Sequence, residues 1–183
     1  TPLGAVPLDR EAIAALLELP HVHLGDAPHA EEHALEVHLP FLQTTLRHFR
    51  LVPLLAGDAS AEVVAAALER VWGGPETLIV VSSDLSHYLP YDAARVLDAT
   101  TCHAIEHLDA SAIGEDQACG RLPLLGLIEV AKRRGLSVET LDLRNSGDTA
   151  GDRRRVVGYG AWAVQAAAPA DAQRPPATEY RAP

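Results

Sequence analysis

The chain has 183 residues, 48% of them hydrophobic, with 15 Lys plus Arg against 25 Asp plus Glu and a formal charge of −10. That length fits one domain with a real core, and the acidic balance argues against a nucleic-acid backbone as partner. No apolar run approaches the roughly 20 residues needed to span a bilayer, no basic apolar leader follows Thr1, and two cysteines make no disulfide framework, so a cytoplasmic protein is expected.

Residues 9–19, DREAIAALLEL, space apolar side chains three and four apart, the period of an amphipathic helix. A second helical stretch is predicted over about residues 30–48, kinked or divided by Pro40. At its start, His29, Glu32 and His33 match H-x-x-E-H, in which two histidines one helical turn apart bind zinc. Against a zinc peptidase stand Pro28, which puts His29 at the helix boundary, and the lack of a partner helix with a third ligand. The plainer account is an acidic helix start, with Glu31 and Glu32 at the positive end of the dipole.

Residues 50–57, RLVPLLAG, read as a short buried strand. Residues 60–74 read as a helix capped by Ser60 and stopped by Gly73. Residues 77–81 form a continuous apolar run, the pattern of a strand covered on both faces. It ends in SSDLSHY, residues 82–88, at the carboxyl end where open α/β sheets bind ligands. Asp84 and His87 can face one cleft there. A carboxylate beside an imidazole fixes its tautomer and suits acid–base work near neutral pH. A serine nucleophile is disfavoured, because the G-x-S-x-G elbow is absent. A helix entry capped by Asp84 or Ser86 remains open as the bland reading.

Residues 91–109 are predicted helical, with Cys102 buried in the middle and His103 and His107 on a solvated face beside Glu106 and Asp109. Next, ACGRLPLLG sets Cys119 ahead of a helix over residues 123–134, with Pro123 in its first turn and Gly135 just past its end. A thiol before a helix start and beside Arg121 is placed to act as a metal ligand or a redox-active sulfur; a buried small residue is the plain alternative. Residues 137–144 and 155–164 read as strands joined by the loop NSGDTAGD. The basic triplets Lys132-Arg133-Arg134 and Arg153-Arg154-Arg155 read as a helix C-terminal cluster and a solvated strand entry. Strand–helix alternation predicts an α/β domain over residues 1–165, with a layered, largely parallel or mixed sheet flanked by helices. The Pro/Ala-rich residues 166–183 are predicted to be a disordered tail.

TPLGAVPLD, EEHALEVHLPFLQ, VVSSDLSHY, CGRLPLLG and NSGDTAGDRRRVVGYGAWAV, in that order, resemble the Memo family, also called AmmeMemoRadiSam system protein B. The resemblance spans essentially the whole chain before the tail. It implies a fold like that of LigB-type class III extradiol dioxygenases. It also implies a pocket in which Cys119 is a metal ligand, Asp84 and His87 form the pocket pair, and His87 stands where the dioxygenases keep an acid–base histidine. Glu32, His33 and Glu36 match a further family motif of the pocket or its surroundings. Iron or copper is the implied metal, with two further histidine ligands expected upstream of Thr1, so the chain is expected to be a fragment lacking early strands. The implied function is a metal-dependent redox or dioxygenase-like protein of unassigned substrate, in company with AMMECR-like and radical SAM proteins. The alternative is a non-catalytic module that binds a peptide or small ligand, since related animal proteins act in growth-factor-receptor signalling.

Overall fold

In the computed structural model, residues 1–149 and 151–166 are described. The expected tail beyond residue 166 lies outside them.

Helix starts follow local chemistry. Asp9 caps α1 (Arg10–Leu16), its carboxylate accepting from the Ala12 amide. Ser60 caps α3 (Ala61–Arg70) by accepting from the Val63 amide, as its position in the sequence predicts. The helix predicted over residues 30–48 is shorter. A 3-10 turn at Ala27–His29 precedes α2 (Ala34–Thr45), which keeps Pro40 inside without dividing. Downstream lie β1 (His87–Leu89), α4 (Tyr91–Glu106), α5 (Arg121–Arg134), β2 (Leu136–Asn145) and β3 (Val156–Ala166). Pro123 falls in the first turn of α5, where its missing N–H costs nothing, and Gly135 ends the helix at φ 61.

The α/β class holds; where a largely parallel or mixed sheet is expected, the sheet is antiparallel. Among the described residues, three strands run in the order β1-β3-β2, and both pairings are antiparallel. The β2–β3 hairpin pairs Leu136 with Ala166 at one end and Asn145 with Gly158 at the other. Parallel pairing among the described residues reduces to a single bridge, Leu8 with Leu51, in place of the strand expected at residues 50–57. Residues 77–81 also have no ladder partner, so the apolar run is not a paired strand. Its side chains nevertheless alternate. Ile79 and Val81 pack into the two core clusters, while Leu78 and Val80 are 65% and 47% exposed.

The larger core cluster sits where α4 and α5 meet the hairpin. It joins Ala104, Ile105, Ile113, Leu124, Leu125 and Ile128, with Val138 and Trp162 packed against it. The second lies between α3 and α5, on Ala65, Leu68 and Val130. Cys102 is buried, with its sulfur 3.3 Å from the Thr140 hydroxyl. The basic end of α5 carries Arg133, whose guanidinium pairs with Glu62 at 2.5 Å and Glu69 at 3.3 Å and so ties α5 to α3.

Candidate functional site

The segment after the apolar run is clamped at its middle. Leu85 and Ser86 are buried, and both bond to β3: the Leu85 amide donates to the Gly158 carbonyl, and the Gly158 amide donates to the Ser86 carbonyl, each at 2.8 Å. From the other side, Asp98 of α4 accepts from the Ser86 amide at 3.0 Å. With residues 85 and 86 fixed inward, the flanking Asp84 and His87 turn outward. Their side chains are 47% and 36% exposed, and Asp84 Oδ2 lies 3.7 Å from His87 Nε2. That is ion-pair distance, beyond a direct hydrogen bond. No helix begins at Asp84 or Ser86, because β1 follows directly and α4 starts after Pro90.

Cys119 reaches the same place from the turn before α5. The Cys119 amide donates to the Asp84 carbonyl at 3.2 Å, and the Asp84 amide donates to Cys119 Sγ at 3.1 Å. The Ser83 hydroxyl donates to the Asp84 carbonyl at 2.6 Å and accepts from the Gly120 amide at 2.9 Å. Ser83 is therefore a turn scaffold, and Ser86 is buried, so neither of these two among the segment's three serines is presented as a nucleophile. The approach of the two segments demands glycine at 120, since a Cβ there would lie 2.2 Å from the Ser82 carbonyl oxygen. The result is a cluster in which one ligand atom each from Asp84, His87 and Cys119 lies within 4.8 Å of the others. Carboxylate, imidazole and thiol together form a donor set suited to a transition metal. Beside it, Tyr88 holds a left-handed backbone at φ 59, unusual for a bulky side chain.

The three residues singled out around SSDLSHY and CGRLPLLG thus come together. The HAEEH segment does not join them. His29 ends the 3-10 turn and His33 precedes α2, so they do not share one helix face. Glu32 accepts from the Ala34 amide at 2.8 Å, and His33 Nδ1 meets Glu36 Oε1 at 2.6 Å on the open surface. Among the described residues, the three-ligand grouping is the one at Asp84, His87 and Cys119. His103 and His107 stack on an exposed face with centroids 4.0 Å apart.

Asp98 is the residue that the sequence reading passed over. It is 3% exposed, it holds the Ser86 amide, and Gly158 packs so tightly on it that a Cβ there would sit 2.1 Å from Asp98 Oδ2. A signal existed. Asp98 falls on the buried stripe of α4, with Ala94, Thr101, Cys102 and Ile105, where an acidic residue needs a donor to satisfy it.

Among the described residues, no helix is long and apolar enough to cross a membrane. Comparison with known proteins identifies the family. The family model described as Memo-like protein matches residues 1–163. A MEMO1 family protein of Aquifex aeolicus is 36% identical over 170 residues, covering 87% of this chain and 64% of the relative. MEMO1 family proteins of Aeropyrum pernix and Ignicoccus hospitalis are 34% and 35% identical, each with 61% of the relative covered. The chain therefore spans less than two thirds of the length of these relatives. A match over nearly all of the described residues, with the clustered segments inside it, shows that the chain belongs to the Memo-like protein family.

Proposed function

We propose that Asp84, His87 and Cys119 are this chain's share of a metal-dependent redox site, in a protein of dioxygenase-like chemistry. The observation that carries the reading is the convergence of one carboxylate, one imidazole and one thiol to within 4.8 Å, from two segments 32 residues or more apart in sequence. Thiolate, imidazole and carboxylate are the ligand types that iron, copper and zinc sites use.

In this reading Cys119 is the metal ligand. Its sulfur accepts the Asp84 amide at 3.1 Å, a contact that helps to fix the sulfur within the cluster. A bound iron or copper ion would supply one-electron chemistry and Lewis acidity. One thiolate does not hold such an ion alone, so the reading requires two further histidine ligands, expected upstream of Thr1. Asp84 faces His87 Nε2 and so sets the orientation of the ring, leaving Nδ1 as the nitrogen that takes up or releases the substrate's proton. The 3.7 Å separation closes to a hydrogen bond by a small rotation of either side chain. Cytoplasmic location and association with AMMECR-like and radical SAM proteins belong to the same proposal.

The test is elemental analysis of iron and copper in the purified protein with its upstream sequence included, for wild type, Cys119→Ser and His87→Ala. Metal in wild type, lost in Cys119→Ser and retained in His87→Ala with loss of turnover, is the expected pattern. Metal-free wild-type protein, with Cys119→Ser indistinguishable from it, would instead favour the non-catalytic ligand-binding module.

A further inference from the structure

The chain carries ten more acidic than basic formal charges, yet several arginines gather beside the cluster. The pairing of β1 with β3 sets His87 opposite Val157 and Leu89 opposite Val156, so the residues entering β3 run alongside those leaving β1. The Tyr91 amide continues the register by donating to the Arg153 carbonyl at 3.0 Å. As a consequence Arg155 lies over the Tyr88 ring, 4.9 Å from its centroid, and Arg153 lies over the Tyr91 ring at 4.2 Å. Arg95, one turn into α4, approaches the other tyrosine contact at 5.8 Å.

These guanidiniums are not spent on carboxylates. Among the described residues, Arg95, Arg153 and Arg155 have no acidic oxygen within ion-pair distance, whereas the intervening Arg154 is paired with Asp152 at 3.0 Å. The acid nearest Arg95 and Arg153 in effect is Asp148, which already accepts from the Tyr91 hydroxyl at 2.5 Å and the Asn145 amide at 2.9 Å. Among the described residues, Arg155 makes no ion pair, and its ring contact is with Tyr88. Stacking on tyrosine holds a guanidinium in place while leaving its edge N–H groups open, which is the geometry for gripping a planar or tetrahedral oxyanion. Tyr88 links the two features. Its ring centroid is 5.8 Å from that of His87 and 4.9 Å from the Arg155 guanidinium, and its backbone is left-handed at φ 59.

We propose that Arg155, held on Tyr88, is the specificity-determining residue of the Asp84–His87–Cys119 site, and that it binds a carboxylate or phosphate group on the substrate. Arg153 and Arg95 extend the positive strip and draw such anions to a protein whose net charge repels them. The inference rests on reading the cluster as the place where substrate binds.

The experiment is an NMR titration of the chain with benzoate and with inorganic phosphate, followed at the His87 and Tyr88 signals, with neutral benzamide as control. Both anions are expected to give saturable shifts that weaken as salt is raised, while benzamide gives none. Arg155→Gln is expected to weaken binding about tenfold, the effect of losing one charge-assisted hydrogen bond, and Arg155→Lys less than that. Absence of saturable shifts, equal binding of benzamide, or unchanged affinity in Arg155→Gln would overturn the proposal. Metal content is read separately on the same variants with their upstream sequence included. Protein without metal that still loses anion affinity with Arg155→Gln refutes the metal centre alone. Protein with metal whose anion affinity ignores Arg155 refutes the anion contact alone.

Discussion

One glycine and one aspartate set the geometry on which the candidate site depends, and each makes a specific prediction. A methyl group at position 120 collides with backbone, the Ser82 carbonyl oxygen at 2.2 Å, so it cannot be relieved by a side-chain rotation. Gly120→Ala is therefore expected to cost roughly 1–3 kcal/mol by overpacking, seen as a lower denaturant midpoint, and to part Cys119 from Asp84. Asp98 has a different role, since it holds the Ser86 amide from beneath the cluster. Asp98→Asn keeps an oxygen that can accept this bond, and Asp98→Leu does not. The leucine variant is expected to lose about 1–3 kcal/mol through an unsatisfied buried amide. In NMR it should shift the His87 imidazole signals, whereas the asparagine variant should restore them. Equal His87 spectra in wild type and Asp98→Leu would show that Asp98 serves the core only. At this scale the sequence singled out Asp84, His87 and Cys119 by residue type, with a capped helix entry and a buried small cysteine left open beside them. It was silent on Asp98 and Gly120, whose roles arise only when two distant segments touch.

At the scale of elements, helix caps and the closing hairpin were legible because their signals are local. Ser60 caps α3 as its position implies, and Ser60→Ala is expected to cost about 1 kcal/mol in chemical denaturation. The loop between β2 and β3 holds a pH-sensitive bond. The Tyr91 hydroxyl and then the Asn145 amide keep the Asp148 carboxyl below its ordinary 3.8, and the same carboxylate raises the Tyr91 phenol above 10.0. A carboxylate with a depressed folded value stabilises above its unfolded value and loses that contribution as pH falls through the folded one. A phenol with a raised folded value stabilises below its unfolded value and loses that contribution as pH rises through the folded one. The bond is thus expected to weaken below about pH 3.8 and above about pH 10. Asp148→Asn should remove the acid-side dependence, which thermal melts between pH 5 and 2 would reveal. Arg154 holds Asp152 lower still, to about 2, so a residual acid limb from that pair is expected in the variant. What the sequence missed here was pairing. Apolar residues at 77–81 signal a strand, but a ladder needs a neighbour that periodicity cannot supply.

For the whole molecule, that unpaired run has a consequence for behaviour in solution. Ile79 and Val81 anchor it to the core, while Leu78 and Val80 face outward beside backbone groups that no ladder satisfies among the described residues. Further apolar side chains lie open elsewhere, including Phe41 at 73% and Leu24 at 80%. An apolar segment with open backbone groups is a template for pairing with another chain, and a net charge of −10 opposes that association only at low salt. The chain of residues 1–183 is therefore expected to self-associate as concentration and ionic strength rise, measured by light scattering. A charge on the outward face should block pairing without touching the core, so Val80→Lys is expected to suppress association while leaving the far-ultraviolet spectrum unchanged. An inward change, Ile79→Lys, should unfold the α3–α5 region, because it buries a charge beside Val64 and Trp72. If Val80→Lys associates like the wild type, the interface lies on another surface, and Phe41 on α2 is the next position to charge. The contrast between neighbours one residue apart ties the behaviour of the whole chain to the alternation that the structure reveals in a run the sequence presents as uniform.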